Sequence, residues 1–340
     1  MPLIRFPTVK GLVYTIDLSK IADRENPRTV EAPFYTYAYD PNNTFYIDWG
    51  DGNKSEMGST QQTFEAFKEH TYAPGSGDIF TVRITSKTGY LPRIRVNDST
   101  QTGQDTNPNK NIQFAIISLD HFNGFTGGNT YYAITDAFHW AKNLKYVDTR
   151  IAGQWTIESM GNWFASTGID QPLESFCFDF CDGLVSIVGA LRDNELSGNI
   201  PNGMFRNCPL TKMDSVFSDC SKIEGKIPEG LVDNATGLQS LGFAFARCTN
   251  LTAPYKFWEH TNAENFTQVV GVYNGCSNTL RSQAPTIYGG TVASWEAKGY
   301  TEGTKVFYSP NNNTAGKIYQ ATAAASAEDI PGTSAVWEPV

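Results

Sequence analysis

Apolar residues in the middle of the chain recur at a fixed period. Leu210, Met213, Phe217 and Cys220 follow the pattern apolar-x2-apolar-x3-aromatic-x2-Cys. Twenty-eight residues later Leu238, Leu241, Phe245 and Cys248 repeat it, and Phe266, Val269, Tyr273 and Cys276 repeat it again after twenty-eight more. A second half-unit, Pro-x2-apolar-apolar-x-Asn/His, interleaves with the first at Pro201/Met204/Phe205/Asn207, Pro228/Leu231/Val232/Asn234 and Pro254/Phe257/Trp258/His260. Fainter upstream copies are Tyr131, Ile134, Phe138 and Ala141, then Leu173, Phe176, Phe180 and Gly183, with irregular gaps that imply insertions. Units this short cannot bury their own apolar side, so they must stack and share a core, which predicts a solenoid. The cysteine position then calls for a small, buried side chain, a thiol behaving as a small hydrophobe.

Upstream the period changes to two. Phe34, Tyr35, Tyr37 and Tyr39, then Thr44-Phe45-Tyr46-Ile47, predict two strands joined by the turn former Asp40-Pro41-Asn42-Asn43. Asp48-Trp49-Gly50-Asp51-Gly52-Asn53 follows, and its Asp-Gly predicts a hairpin. His70-Thr71-Tyr72 leads through a Gly-rich turn to the alternating strand Phe80-Thr81-Val82-Arg83-Ile84-Thr85. After residue 281 an ordered set of aromatics appears: Trp295, Tyr300, Tyr308, Tyr319 and Trp337, interspersed with Gly303, Val306, Gly316, Ala321 and Pro331.

Composition narrows the function classes. At 340 residues the chain has room for two or three domains. A net charge of −9 argues against nucleic acid, which selects a positive footprint. Charged residues are 18%, against a usual ~25%, so the surface is rich in uncharged polar groups, as in extracellular and virion proteins. No stretch approaches the ~20 apolar residues of a membrane span. Met1 to Pro7 lacks the apolar core of a secretion signal, so the expectation is a removed leader or a protein that never uses a secretion channel. The cysteines, at 177, 181, 208, 220, 248 and 276, are too sparse for a disulfide scaffold, and Cys177/Cys181 do not have the zinc spacing.

Candidate chemistry is thin. His70, His121, His139 and His260 are isolated, and no nucleophile elbow, phosphate loop or dinucleotide fingerprint is present. Glu174, Asp179 and Asp182 lie near the repeat face, where acids are ordinarily solvated. The expectation is a non-enzymatic protein without a cofactor. Asp48 and Asp51 are the weak candidates for a calcium site, although their spacing is not that of an EF-hand loop.

Three stretches resemble known families. Asp48-Trp49-Gly50-Asp51-Gly52, followed some twenty residues on by His70-Thr71-Tyr72, resembles a PKD domain, an immunoglobulin-like β-sandwich. That resemblance implies that Trp49 fills the core, Asp51-Gly52 turns a hairpin, and Asp48, His70 and Tyr72 complete a structural motif. Phe217-Ser-Asp-Cys220-Ser-Lys-Ile223 and Phe245-Ala-Arg-Cys248-Thr-Asn-Leu251 resemble the leucine-rich repeats of BspA-type surface proteins, over roughly 110–280. In that family such repeats serve adhesion and display, and Phe217, Cys220, Phe245, Cys248, Tyr273 and Cys276 would be its structural positions. The C-terminal aromatics resemble the small chitin-binding modules of carbohydrate-binding families 5 and 12, with Trp295, Tyr308 and Trp337 as candidate ligand residues. Two departures are the lengthened 309–315 hairpin and an alanine run, Ala323-Ala324-Ala325, where the family exposes aromatic rings.

The expected architecture is therefore mainly β and multidomain: an N-terminal arm or anchor (1–33), a PKD-like sandwich (34–96), a leucine-rich solenoid (97–280) and a small β-module (281–340). The expected role is display or adhesion, most simply as a bacteriophage capsid decoration, head fibre or tail-associated protein. Its arm would hold other virion proteins, and its flank or 309–315 hairpin would meet host glycans or proteins, with self-association open. A secreted bacterial surface adhesin is the alternative, and a carbohydrate-active enzyme fragment a weaker one. The expected location is the virion surface, or the cell exterior for an adhesin.

Overall fold

The computed structural model describes residues 11–35, 44–58, 68–87, 93–94, 96, 111–123, 136–148, 158–176, 178, 181–311 and 313–340. The chain is mainly β, with several separate sheets. Its first part contains β1 (Gly11–Asp17), β2 (Thr29–Glu31), β3 (Phe34–Tyr35), β4 (Thr44–Asp48), β5 (Lys54–Gly58), β6 (Glu69–Thr71), β7 (Ile79–Ser86), β8 (Arg93–Ile94), β9 (Ile116–Asn123) and β10 (Tyr146–Val147). Six of these form one sheet in the order β10-β9-β1-β7-β4-β5. Alternation sets its faces: Leu12, Tyr14 and Ile16, Phe45 and Ile47, and Phe80, Val82 and Ile84 point into the core, while Thr81 and Arg83 are exposed.

This topology corrects two expected boundaries and one expected hairpin. Within the supposed arm, β1 is a central strand, antiparallel to both β7 and β9. Its buried Leu12, Tyr14 and Ile16 need cover on both flanks, so 11–33 belong to the fold. The boundary near 97 fails for the same reason, because β9 and β10, assigned to the repeats, complete this sheet. The strands at 34 and 44 are not hairpin partners: β3 pairs with β8, and β4 with β5 and β7. The turn at 40–43 lies outside the described residues. The short helix α1 (Ile112–Ala115) is tied to the β1–β2 connection through buried Asn111. The Asn111 amide donates to the Thr29 and Asn26 carbonyls (2.7 and 3.0 Å), and its Oδ1 accepts from Arg24 (2.8 Å).

Beyond β10 the chain stacks in parallel. Ser159, Ser186, Lys212, Ser240 and Gln268 form successive parallel bridges, spaced 26 to 28 residues apart. Each step carries further rungs: the Met213, Ser215, Phe217 and Asp219 amides donate to the Ser240, Gly242, Ala244 and Ala246 carbonyls at 2.8–2.9 Å. A second ladder joins β11 (Gly198–Asn199), β12 (Ile223–Lys226) and β13 (Asn250–Ala253) in a parallel sheet. A backbone signature marks every unit: two left-handed residues four apart, at Asp136/Trp140, Asn162/Ser166, Gly189/Asp193, Ser215/Asp219, Phe243/Arg247 and Gly271/Gly275.

The described residues thus hold six such units, and their register revises the faint copies. The aromatic position runs Phe138, Phe164, Leu191, Phe217, Phe245, Tyr273. Phe138 and Ala141 keep their expected places; Tyr131 and Ile134 lie outside the described residues. Leu173, Phe176, Phe178 and Cys181 belong instead to the second half-unit. The Phe178 amide bonds the Met204 carbonyl, and Cys181 closes on Phe178 as Cys208 does on Phe205. Phe180 lies outside the described residues. Rings stack along the interior, with Phe138–Phe164 at 5.6 Å and Phe217–Phe245 at 5.4 Å between centroids.

The last sheet is β14 (Lys305–Tyr308), β15 (Lys317–Ala321) and β16 (Trp337–Pro339), all antiparallel. One continuous core extends from Leu12 through the stacked units to Phe307 and Ile318 of this sheet, so the boundary at 281 is not a break in packing. Val306, Ala321, Ala325 and Trp337 form a separate outer cluster. Of the 309–315 hairpin, expected as a contact surface, residues 313–315 lie against the last repeats, while Pro310 and Asn311 stay exposed. Gly316 N donates to the Trp258 carbonyl (2.9 Å), Tyr288 Oη to the Thr314 carbonyl (2.7 Å) and Thr314 Oγ1 to the Ala263 carbonyl.

Candidate functional site

The Asp48–Asn53 segment turns β4 into β5, with Trp49 N donating to the Asn53 carbonyl at 3.1 Å. Gly50 has φ +81°, and a Cβ there would meet the Thr81 carbonyl at 2.5 Å, so only glycine fits. The Asp51 carboxylate accepts from Asn53 N (3.0 Å), Asn53 Nδ2 (3.0 Å) and His70 Nε2 (2.8 Å). His70 stacks on fully buried Trp49, centroids 4.9 Å apart, and Tyr72 Oη donates to the Trp49 carbonyl at 2.9 Å. Trp49 Nε1 donates to Ser55 Oγ at 2.9 Å. Burial pushes the Asp51 carboxyl up, but the bonds from His70 and Asn53 outweigh it and hold the group below its usual range.

Calcium has no free ligand set at this corner. Asp48 Oδ1 accepts from Gly50 N (3.1 Å), and Lys54 Nζ stands 3.5 Å from its Oδ2. Asp51 is occupied by His70 and Asn53, and no group of three acidic, His or Cys side chains suited to a metal exists among the described residues. His70 is therefore more than a strand residue: it ties β6 to the hairpin through Asp51.

In the repeats, the thiol position has a partner in every cysteine unit. Cys220, Cys248 and Cys276 donate to the carbonyls of Leu191, Phe217 and Phe245, each at 3.0 Å and each one unit back. Asn194 fills the same place one unit earlier and donates to the Phe164 carbonyl at 2.8 Å. Thr167 precedes it, its hydroxyl 2.6 Å from Asn194 Oδ1. The position is thus a hydrogen-bond donor site, which refines the small-hydrophobe expectation. Burial pushes the Cys220 thiol up to about 12 and the Cys276 thiol to about 11, and raises Cys248 likewise. Cys181, Cys208, Cys220, Cys248 and Cys276 are buried thiols outside any disulfide; Cys177 lies outside the described residues.

His260 belongs to the second half-unit. Its Nδ1 accepts from Asn262 N (3.1 Å), leaving Nε2 to donate to the Val232 carbonyl (3.4 Å), and burial lowers its pKa. Glu174 accepts from Asn199 N (2.8 Å) and Asp182 is exposed, whereas Asp179 and the His121 side chain lie outside the described residues. His139 is buried, Nδ1 3.6 Å from Asp136.

The C-terminal aromatics divide into two groups. Trp337 is 6% exposed, donates to the Asp329 carbonyl (2.6 Å) and meets Tyr300 edge-on at 5.4 Å. It is a core residue, and burial removes it from the ligand candidates. Trp295 and Tyr308 are half-buried and meet edge-on at 5.5 Å, with half-buried Tyr319 another 6.4 Å from Tyr308. Ala323 and Ala324 expose only methyl groups, while Ala325 is buried and paired with Tyr300. No protein-family model matches the chain, and neither curated proteins nor solved structures give a match.

Proposed function

We propose that the protein is a non-enzymatic display protein carried on a bacteriophage virion. In this reading a PKD-like unit, BspA-type leucine-rich repeats and a small carbohydrate-module-like sheet are held in line by their shared core. One observation carries it: the thiols of the repeats are buried, outside any disulfide and used as hydrogen-bond donors. A fold that depends on reduced cysteines suits assembly in a reducing cytoplasm, and release by lysis, better than export through an oxidising compartment. The low share of charged residues and the acidic balance fit a surface facing the medium rather than the packaged genome. Antibodies raised against the whole protein, applied to intact particles and to intact cells of a source culture, test this. Labelling of particles is expected. Labelling of cell surfaces alone overturns it in favour of the adhesin.

A further inference from the structure

Three adjacent strands of the six-stranded sheet carry an outward-facing grid that the display reading does not use. Across β5, β4 and β7, Glu56, Tyr46 and Thr85 stand in one row, and Lys54, Asp48 and Arg83 stand two residues along. These side chains line a depression of about 400 Å³. Tyr46 is 41% exposed at its centre. Lys54 and Asp48 are paired at 3.5 Å. Among the described residues, neither Arg83 nor Glu56 has an ion pair, and the Tyr46 hydroxyl has no hydrogen-bond partner.

We propose that this grid binds a neutral saccharide, with Tyr46 as the stacking surface and Arg83 and Glu56 as bidentate partners for adjacent hydroxyls. The phenol offers an apolar ring face beside a polar tip, suited to a ligand that is apolar on its face and polar at its rim. Guanidinium and carboxylate each present paired sites, which match vicinal hydroxyls. Lys54 and Arg83 balance Asp48 and Glu56, so the grid has no net charge with which to select an anion. Size excludes a protein partner at this grid alone. Three strands at a spacing of roughly 4.8 Å and two rows some 7 Å apart cover far less than the ~800 Å² per partner of a stable protein interface.

The inference is independent of virion location, because it is tested on purified full-length protein. Native gels containing soluble dextran, mannan, galactan or glycol chitin are the probe, with dextran sulfate as the charged control. Wild type is expected to be retarded by at least one neutral polymer and not preferentially by the sulfate. Tyr46→Ala is expected to abolish the retardation. Arg83→Gln and Glu56→Gln are each expected to weaken it by about fivefold, the loss of roughly one hydrogen bond. All three positions are solvent-facing, so thermal midpoints are expected to stay at the wild-type value. Trp295→Ala, packed beside the C-terminal sheet, is expected to leave binding intact. Absence of retardation in every neutral polymer overturns the proposal, as does retardation that survives Tyr46→Ala or is lost in Trp295→Ala.

Discussion

Cys248 donates its thiol hydrogen to the backbone carbonyl of Phe217, 3.0 Å away and one unit back. Both groups are buried, so removing the thiol leaves the carbonyl with the Cys220 amide alone (3.1 Å), its second acceptor site out of reach of water. Cys248→Ala is expected to cost about 0.5–1.5 kcal/mol in denaturant unfolding. Cys248→Ser, which keeps a donor, is expected to lose less; a site that needed only apolar filling would reverse that order.

The same burial gives a pH dependence. The folded thiols are raised, to about 12 for Cys220 and about 11 for Cys276. Unfolded cysteine ionises near ~8.5, so the protonated native form is favoured between the two values. Stability from these groups is complete below the unfolded value and falls as pH rises through the folded ones. Alkylation by a thiol reagent is accordingly expected to need global unfolding at pH 9, as read by mass spectrometry of the intact protein.

The donor role also explains which units were legible in the sequence. Cysteine at 220, 248 and 276 made three units obvious, but Asn194 performs the same task, and Thr167, in the unit before, donates to Asn194 instead. A search for small apolar residues passes over them, and the apolar spacing at 173–183 offered a false register. The left-handed pairs were a second signal: Asp136, Asn162, Gly189, Ser215 and Gly271 are mostly residue types that tolerate positive φ. The Asp51 hairpin was readable because its chemistry is local. The pairing of β1 with β9 was not, since it joins segments a hundred residues apart.

Phe245 stacks between Phe217 and Tyr273, at 5.4 and 6.2 Å, and is fully buried. Phe245→Ala is expected to cost about 3–5 kcal/mol. The sequence boundaries imply that the N-terminal unit melts by itself, but a core continuous from Leu12 to Ile318 predicts otherwise. Calorimetry is expected to show the N-terminal sheet and the repeats shifting down together; an unmoved N-terminal transition would contradict the shared core.

Asp51 and His70 supply an acid-side test. The folded Asp51 carboxyl lies below its ordinary value, so its contribution is present above about pH 4 and is lost as pH falls through the folded value. Asp51→Asn is expected to destabilise by about 1–3 kcal/mol at pH 7. The gap from wild type is expected to narrow on acidification. A gap that widened toward low pH would assign the corner's stability to other groups.

Phe243 occupies a left-handed position, φ +57°, where the other units carry Asp, Asn, Ser or Gly. A bulky side chain there costs roughly 1–2 kcal/mol. The ring is 39% exposed and lies over Gly271, where a Cβ would approach it at 2.6 Å. Phe243→Asn is expected to hold or raise the thermal midpoint, whereas Gly271→Ala is expected to lower it through both φ +68° and the clash. A marked loss in Phe243→Asn would mean that the ring stabilises the stack by more than its backbone conformation costs.

The two clusters of the C-terminal sheet predict different consequences for cutting and for substitution. Phe307 and Ile318 pack into the main core, and the Gly316 amide and Thr314 hydroxyl donate to the Trp258 and Ala263 carbonyls of the repeats. Excising 281–340 would expose that inner face, so the fragment is expected to lack the native signal dispersion in NMR that the same residues show in the whole chain. Trp337 belongs to the outer cluster with Val306, Ala321 and Ala325. Trp337→Ala in the full chain therefore removes a buried indole and its bond to Asp329, at about 3–5 kcal/mol, without touching the repeats. Hydrogen exchange is expected to speed up in β14 to β16 while β12 and β13 keep their protection. Faster exchange throughout the repeats would show that the outer cluster is coupled to the main core through Phe307 and Ile318, rather than resting on it.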